Sequence, residues 1–554
     1  MDDEGAGTDA DANANANGSE GASAVGVDWR DWGPEVFAEA RERDAPLLLS
    51  LTATWCSACH EMDRETYADP RVAAVVSDGY VPVRVDVDRQ PRVRERYNMG
   101  GFPSTVVCTP AGEVLTGATY LGPDGMKQVL DRVRETWNER GAAAGSVPRA
   151  LAGDPTPAGE VTERIEEHLA GQLDAQYDHD FGGWGTDAKF PLPRTVEFAL
   201  KRERNQALST LDVIQRRLFD DVDGGFFRYA GSRDWTDVEH EKLLATNAAL
   251  VRAFANGYLY TGDDAYRETA RATVEFLTTD LWTGQAVGGS LGPAEESDYY
   301  SLPADRRAEA APPRRDLTVY AGDNGLAAEA FLTLAAYTDD DESEDAARRV
   351  LDHLREELID DGVVLRYRVG DEAGERGLLT EHARVAAAFC RAEEILGEGI
   401  GTARAVADYA IETLHDDGSF RDGPASGEGL LDRPLRPIDG NVEMAEACLD
   451  LAALTGDDEY RSVAHDAVAA FAGATDRFGV QVAGYGSVAA RLCRPDLVVD
   501  VPTRGDLHRA ALRIADHETV VVPGDRDDAV VHLGDATRRA TTPDDLMAAV
   551  SAIR

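Results

Sequence analysis

SLTATWCSACHEM, residues 50–62, sets Cys56 and Cys59 with two residues between them, soon after the apolar run PLLLSLTA. A CxxC at the start of a helix that follows a buried strand places its first sulfur among free amide N–H groups and the positive end of the helix macrodipole. Both favour the thiolate, and such positions draw a cysteine pKa from ~8.5 toward roughly 3.5–7.5. Cys56 is therefore the expected nucleophile and Cys59 the resolving thiol.

Working outward, EVFAEARERD reads as a helix before that strand. VPVRVDVD reads as a second strand, STVVCTPAGEVL as a hairpin and DGMKQVLDRVRETW as a closing helix. GFPST puts Pro103 just before the hairpin, where thioredoxin folds set a cis-proline beside the sulfurs. Strand, CxxC, helix and proline together predict a thioredoxin-like domain over residues 27–142. Thioredoxins usually carry a buried carboxylate six residues before the nucleophile, and here Ser50 stands there. His60, Glu61 and Glu65 are the candidate substitutes for its proton relay. Two other readings stay open at this point: a thioredoxin fold without catalysis, and a zinc half-site, for which His60 is adjacent but a second cysteine pair is lacking.

The rest of the composition bounds the class. The formal net charge is -46, and the only lysines are Lys127, Lys189, Lys201 and Lys242. Concentrated salt screens repulsion of that size over a few ångströms, so the composition resembles that of proteins from extreme halophiles, an ordinary acidic surface being the alternative. Polyanionic nucleic acid is excluded as a partner. No apolar run reaches the roughly eighteen residues of a membrane helix, so a membrane is excluded as well. Residues 1–26 are acidic and small, with no signal-peptide pattern, and read as a disordered tail. A cytoplasmic location and a catalytic or sensing role for the cysteine pair follow. No cofactor or metal is called for.

RGAAAGSVPRALAGDPTPAG marks a linker, assigned to residues 143–158, and beyond it the chain turns helical and repeats. NAALVRAFANGYLYTGDDAYRETARATVEFL opens at Asn247 and NVEMAEACLDLAALTGDDEYRSVAHDAVAAF at Asn441, with Thr-Gly-Asp at one spacing. In the helix that follows, Tyr266, Ala270, Val274 and Leu277 share one face, and Tyr460, Ala464, Val468 and Phe471 repeat it. A third, looser copy starts at Asp323-Asn324, and a fourth helix pair spans Leu378–Leu414. Glycine loops DGGFFRY, DGVVLRY and DDGSFRD lie between the pairs. Self-similar helix pairs must stack to bury their faces. The expectation is a closed (α/α)6 toroid of six hairpins over residues 159–490, with an open superhelical scaffold as the alternative. LVVDV, TVVVP and AVVHLG, with helices between and after them, predict a small α/β segment over 491–554.

These pieces together resemble the spermatogenesis-associated thioredoxin-like protein family. They are VDWRDWGPEVFAEARERDAPLLLS, WCSACHEMDRETYADPRVA, YDHDFGGWGTDAKFPLP, DGGFFRYAGSRDW and HEKLLATNAAL. The resemblance implies a thioredoxin-like domain joined to a six-hairpin glycosidase-like toroid, related to sugar epimerases, whose funnel binds carbohydrate in those relatives. The chain departs from the family in having Phe227 for a histidine, Val238-Glu239-His240-Glu241-Lys242 for Pro-His-Phe-Glu-Lys, and no C-terminal cysteine pair.

Epimerisation or glycosidic cleavage needs two groups that trade protons across a sugar. Glu239, His240 and Glu241, expected at the entrance of an inner helix, lie beside the aromatic Tyr229 and Trp235. Trp184, Asp187 and Lys189 occupy another rim loop, and Asp323 and His382 complete the candidate funnel set. Each has an ordinary alternative: Glu241 and Lys242 as an ion pair, the tryptophans as loop packing, His382 as a satisfied core histidine. The functional expectation is a thiol-disulfide oxidoreductase or redox-sensing head on a carbohydrate-type toroid, with a redox partner protein and a carbohydrate ligand. The alternatives are a sugar epimerase or hydrolase with a non-catalytic thioredoxin fold, and a scaffold without chemistry.

Overall fold

The computed structural model describes residues 26–153, 155–294 and 298–554; all but the last residue of the expected acidic tail lies outside them. The first domain is built from β1 (Arg30–Asp31), α1 (Pro34–Arg43), β2 (Leu47–Thr52), α2 (Ser57–Met62), α3 (Pro70–Gly79), β3 (Val81–Asp86), α4 (Pro91–Tyr97), β4 (Ser104–Cys108), β5 (Val114–Ala118) and α5 (Pro123–Arg140). Its sheet runs β1-β3-β2-β4-β5, with β2 parallel to β3 and antiparallel to β4. The largely apolar run of β2, interrupted only by Ser50 before its last residue Thr52, makes it the central strand, buried on both faces. This is the thioredoxin-like order. The assigned linker is less free than its composition suggests. Ser146 pairs with Val114, and Leu151 is buried in the domain's own core, because an apolar side chain there finds an apolar wall.

The helical body comprises α6 (Arg164–Gln176), α7 (Pro193–Arg202), α8 (Arg204–Leu218), α9 (Leu244–Thr261), α10 (Asp264–Thr279), the short α11 (Ala304–Arg307), α12 (Ala321–Thr338), α13 (Asp341–His353), α14 (Leu379–Leu396), α15 (Ile400–Leu414), α16 (Ile438–Thr455), α17 (Asp458–Ala469) and α18 (Ala483–Cys493). Among the described residues α7, α9, α12, α14, α16 and α18 pack successively, and α18 returns against α7. The ring is closed, which rules out the open scaffold. An outer layer of α8, α10, α13, α15, α17 and α6 backs it. Inner helices such as α12, AGDNGLAAEAFLTLAAYT, are small and apolar almost all round because they are covered on every side. The sixth hairpin is split: its outer member, α6, precedes the ring and its inner member, α18, ends it.

Two local devices recur where loops enter inner helices. Asn247, Asn324 and Asn441 each accept a preceding strand's N–H and donate to its carbonyl and to the carbonyl four residues back. His382 fills that position in α14, with Nε2 accepting from Val364 N–H at 3.1 Å and Nδ1 bonded to Leu378 O at 2.7 Å. The second device is a glycine loop wrapped around a buried carboxylate. Asp178 receives Lys189 Nζ at 2.9 Å and Arg233, and Asp220 receives Lys242 Nζ at 2.8 Å and Arg307. Each lysine also donates to a loop carbonyl, of Gly185 or Gly224. Gly183 and Gly225 are left-handed in these loops, and a Cβ on Gly225 would meet the Phe276 ring at 2.4 Å.

The C-terminal segment adds a sheet of strands 497–502, 520–524, 529–533 and 536–540 with α19 (Asp506–Leu512) and α20 (Pro543–Ile553). The fourth strand, ATRRA, escapes sequence reading because it is a polar, exposed edge. The segment closes one end of the ring, with strand 520–524 against α14 and α16. His508 anchors it to the carbonyl of Glu394 at 2.7 Å. The thioredoxin-like domain closes the other end. Arg92 and Arg96 of α4 are each only 3 % exposed, and Arg96 reaches Asp422 at 2.7 Å and the carbonyls of Leu430 and Arg433. Among the described residues no helix is long and apolar enough to cross a membrane.

Candidate functional site

Cys56 caps α2, its Sγ accepting the Cys59 N–H at 3.1 Å, and the two cysteines form a disulfide. The Phe102–Pro103 peptide is cis, as GFPST suggested, and Pro103 is buried. The sulfur-bearing residues are 4 % and 3 % exposed, because the toroid covers the face that a free thioredoxin presents to solvent. Leu243 of the toroid packs into the same apolar cluster as Trp55, Cys56 and Cys59.

Trp55 meets the toroid through Arg228. Its indole N–H donates to Asp88 Oδ2 at 2.7 Å, its ring meets Phe102 edge-on, and the Arg228 guanidinium lies 4.3 Å from the ring centroid. Enclosure pushes the Asp88 carboxyl up to about 7, with Asp86 adding to the effect. Its backbone carbonyl accepts from Arg366 of the toroid at 2.6 Å. At the position of the usual buried acid, Ser50 is buried against the Tyr67 hydroxyl, which also bonds Thr105.

Trp55, Asp88, Phe102 and α4 form one wall of a cavity of about 480 Å³. The opposite wall is the first turns of α9, α12, α14 and α16, with Asp323, Glu381, Asp439 and Glu443. Arg366 is paired with Glu381, Arg384 with Asp323 and Glu443, Arg92 with Glu375 and Asp422, and Arg94 with Glu95. Asp439 is open to the chamber, yet enclosure and then Glu443 hold its carboxyl above the ordinary value. Deeper in the ring, Arg194, Arg252, Arg391 and Arg491 are tied to Glu446, Glu197 and Glu329, Glu394, and Asp450. Most interior charge is thus committed to structure, and among the described residues no group of His, Cys, Asp and Glu is placed to hold a metal ion.

Of the residues expected in the funnel, Asp323 lines the chamber. Trp184 and Trp235 are loop packing, their indole N–H groups spent on the carbonyls of Leu173 and Phe181. Lys189 is buried on Asp178, and Asp187 is exposed in the same loop. His382 is a satisfied core histidine, held neutral down to about 4 by burial. Glu239, His240 and Glu241 do not enter an inner helix: 238–239 and 242–243 are short strands, and α9 begins at Leu244. Tyr229 stacks on Phe190 at 4.6 Å, and His240 on Tyr300 at 5.2 Å, with Phe227 against its edge. Glu241 does not pair with Lys242, which reaches Asp220 instead. Its Oε2 is buried without a hydrogen-bond partner, and burial pushes its carboxyl up to about 7. Glu61 and Glu65 are exposed and bonded by Tyr120, while His60 is half-buried on α2. Asp88, Arg228 and Asp439 were missed, although Asp88 ends the quoted VDVD and Arg228 lies inside the quoted FFRY.

Residues 21–151 match the family described as Thioredox_DsbH, protein of unknown function, DUF255. Human spermatogenesis-associated protein 20 is 29% identical over 313 residues, 49% of this chain and 39% of that protein, so the chain spans about two fifths of this relative's length. Thiol:disulfide interchange protein DsbD 1 of Pseudomonas aeruginosa is 31% identical over 102 residues, 18% of this chain and 17% of its own. Among solved structures, cellobiose 2-epimerase from Bacillus thermoamylovorans superposes on 55% of this chain and 84% of its own, at 12% identity and a TM-score of 0.44. Residues 21–151 are thus similar to the thioredoxin-like family DUF255, and about half of the chain is similar to part of spermatogenesis-associated protein 20.

Proposed function

We propose that the chain is a thiol-disulfide oxidoreductase whose cysteine pair works inside the chamber, on a small molecule, and not on the exposed disulfides of other proteins. The observation that carries this reading is the Cys56–Cys59 disulfide at the head of α2, buried under the mouth of the ring. In the reduced state the Cys56 thiolate attacks one sulfur of a small disulfide and expels the other half as thiolate. The Cys59 thiolate then displaces the second half and closes the Cys56–Cys59 bond. Two electrons pass from the dithiol to the substrate, and each released thiolate takes a proton. In a reducing cytosol the pair rests as the dithiol and the step runs when small disulfides accumulate. The test is oxidation of the reduced chain by a small disulfide in molar salt: Cys56→Ser abolishes it and Cys59→Ser arrests it at a mixed disulfide on Cys56. Undiminished turnover by Cys56→Ser sinks the reading, and fast reduction of insulin by the native chain sinks its small-molecule part.

A second reading, sugar turnover in the chamber, is favoured by two carboxyls that share it and are both held up by enclosure, Asp88 and Asp439. It requires Asp439→Asn to remove turnover of a disaccharide while Cys56→Ser leaves it intact.

A further inference from the structure

The chamber holds one cation that the fold has not spent. Arg92, Arg94, Arg366 and Arg384 all have carboxylate partners, whereas Arg228, among the described residues, has no carboxylate within ion-pairing distance. Its guanidinium is held by rings instead, 4.3 Å from the centroid of Trp55 and 5.4 Å from that of Tyr229. Ring contacts of this kind leave the guanidinium N–H donors available, the fork that suits a carboxylate. Trp55 is itself pinned by Asp88, and the next residue is Cys56, so the free donors stand beside the disulfide.

The helix ends around the chamber favour an anion there, although its walls also carry Asp88, Asp439 and the paired carboxylates. The first turns of α9, α12, α14 and α16 point their N-terminal ends into the chamber, adding positive potential from helix dipoles. The molecule as a whole has a formal charge of -46, so its general field repels anions and gathers cations. A half-buried arginine with no ion pair among the described residues, beside the redox pair and near the Glu241 carboxyl, works against that field. Enclosure also shields it from the salt that screens surface charge.

We propose that Arg228 selects the substrate of the redox reaction, and that this substrate is a low-molecular-weight disulfide carrying a carboxylate. The proposal rests on the oxidoreductase reading above. The carboxylate docks on the Arg228 fork, and the disulfide bond lies along Trp55 toward Cys56. The exchange is the one already written, in which the dithiol gives two electrons and two carboxylate-bearing thiols leave.

The experiment compares three small disulfides with the same reactive bond: dithiodipropionate, which is dianionic, bis(2-hydroxyethyl) disulfide, which is neutral, and cystamine, which is dicationic. The reduced full chain in molar salt is mixed with each, quenched with acid, alkylated, and its Cys56–Cys59 peptide is quantified by mass spectrometry. The expected order of rate constants is anionic, neutral, cationic, with about tenfold between the first two, the size of one charge-assisted hydrogen bond. In Arg228→Gln the anionic-to-neutral ratio falls to about one, and in Arg228→Lys it stays above one. Equal rates for the native chain, a cation-first order, or an unchanged ratio in Arg228→Gln overturns the proposal. The native order decides even if a variant fails to fold. If none of the three oxidises the pair, the oxidoreductase reading fails instead, a result distinct from oxidation without charge preference.

Discussion

Asp88 is where one side chain couples the redox motif to solvent chemistry. Its carboxyl, raised from an ordinary ~3.9 to about 7, is favoured in the folded state as the neutral acid. That preference stabilises the fold fully below pH ~4 and is lost progressively as pH rises to about 7. Asp88→Asn keeps an acceptor for the Trp55 indole but removes the titration. The variant is therefore expected to lose less stability than the native chain between pH 4 and 7, the difference being a few kcal/mol, as read from denaturant midpoints in molar salt. Identical slopes would show that the carboxyl ionises freely.

At the scale of elements, the repeated loop-to-helix staple gives a sharper test than any funnel residue. His382 and the three asparagines make the same pattern of bonds with different side chains, one strand N–H accepted and one carbonyl four residues back satisfied. His382→Asn should therefore be tolerated within about 1 kcal/mol, whereas His382→Ala strands two buried groups and costs about 2 kcal/mol. Equal losses for the two variants in thermal melts would refute the equivalence. The elements themselves were legible in the sequence because their cues are local: the apolar run of β2, the CxxC after it, and the repeated Asn-to-Gly spacing that marks α9 and α16. The site was less legible. Trp184, Lys189, Trp235 and His382 carry the residue types of sugar chemistry but are spent on backbone groups and buried carboxylates, partners that only the tertiary fold brings near. Asp88 and Arg228 were unremarkable in sequence because their importance comes from docking two domains, which no local pattern records.

At the scale of the molecule, the roof over the chamber depends on α4. Arg96 has a fully buried side chain paired with Asp422, and Arg92 reaches Glu375 and the carbonyls of Pro424 and Leu431. Removing one partner of a buried pair typically costs about 3–5 kcal/mol. The double variant Arg92→Gln/Arg96→Gln is expected to free the first domain from the ring. Its Cys56–Cys59 bond should then be reduced by dithiothreitol at least about tenfold faster, 1.4 kcal/mol of protection lost. It should also acquire insulin reduction. An unchanged reduction rate would mean that the toroid does not guard the sulfurs.

The split sixth hairpin has a bearing on how the chain comes to be made. Because α6 waits at the start of the ring for α18, synthesised some three hundred residues later, the circle stays unlatched until Ala483–Cys493 has left the ribosome. Five hairpins must hold as an arc with two raw ends until then. A nascent chain in that state is a template for another chain's arc, and the late latch is what commits each molecule to closing on itself.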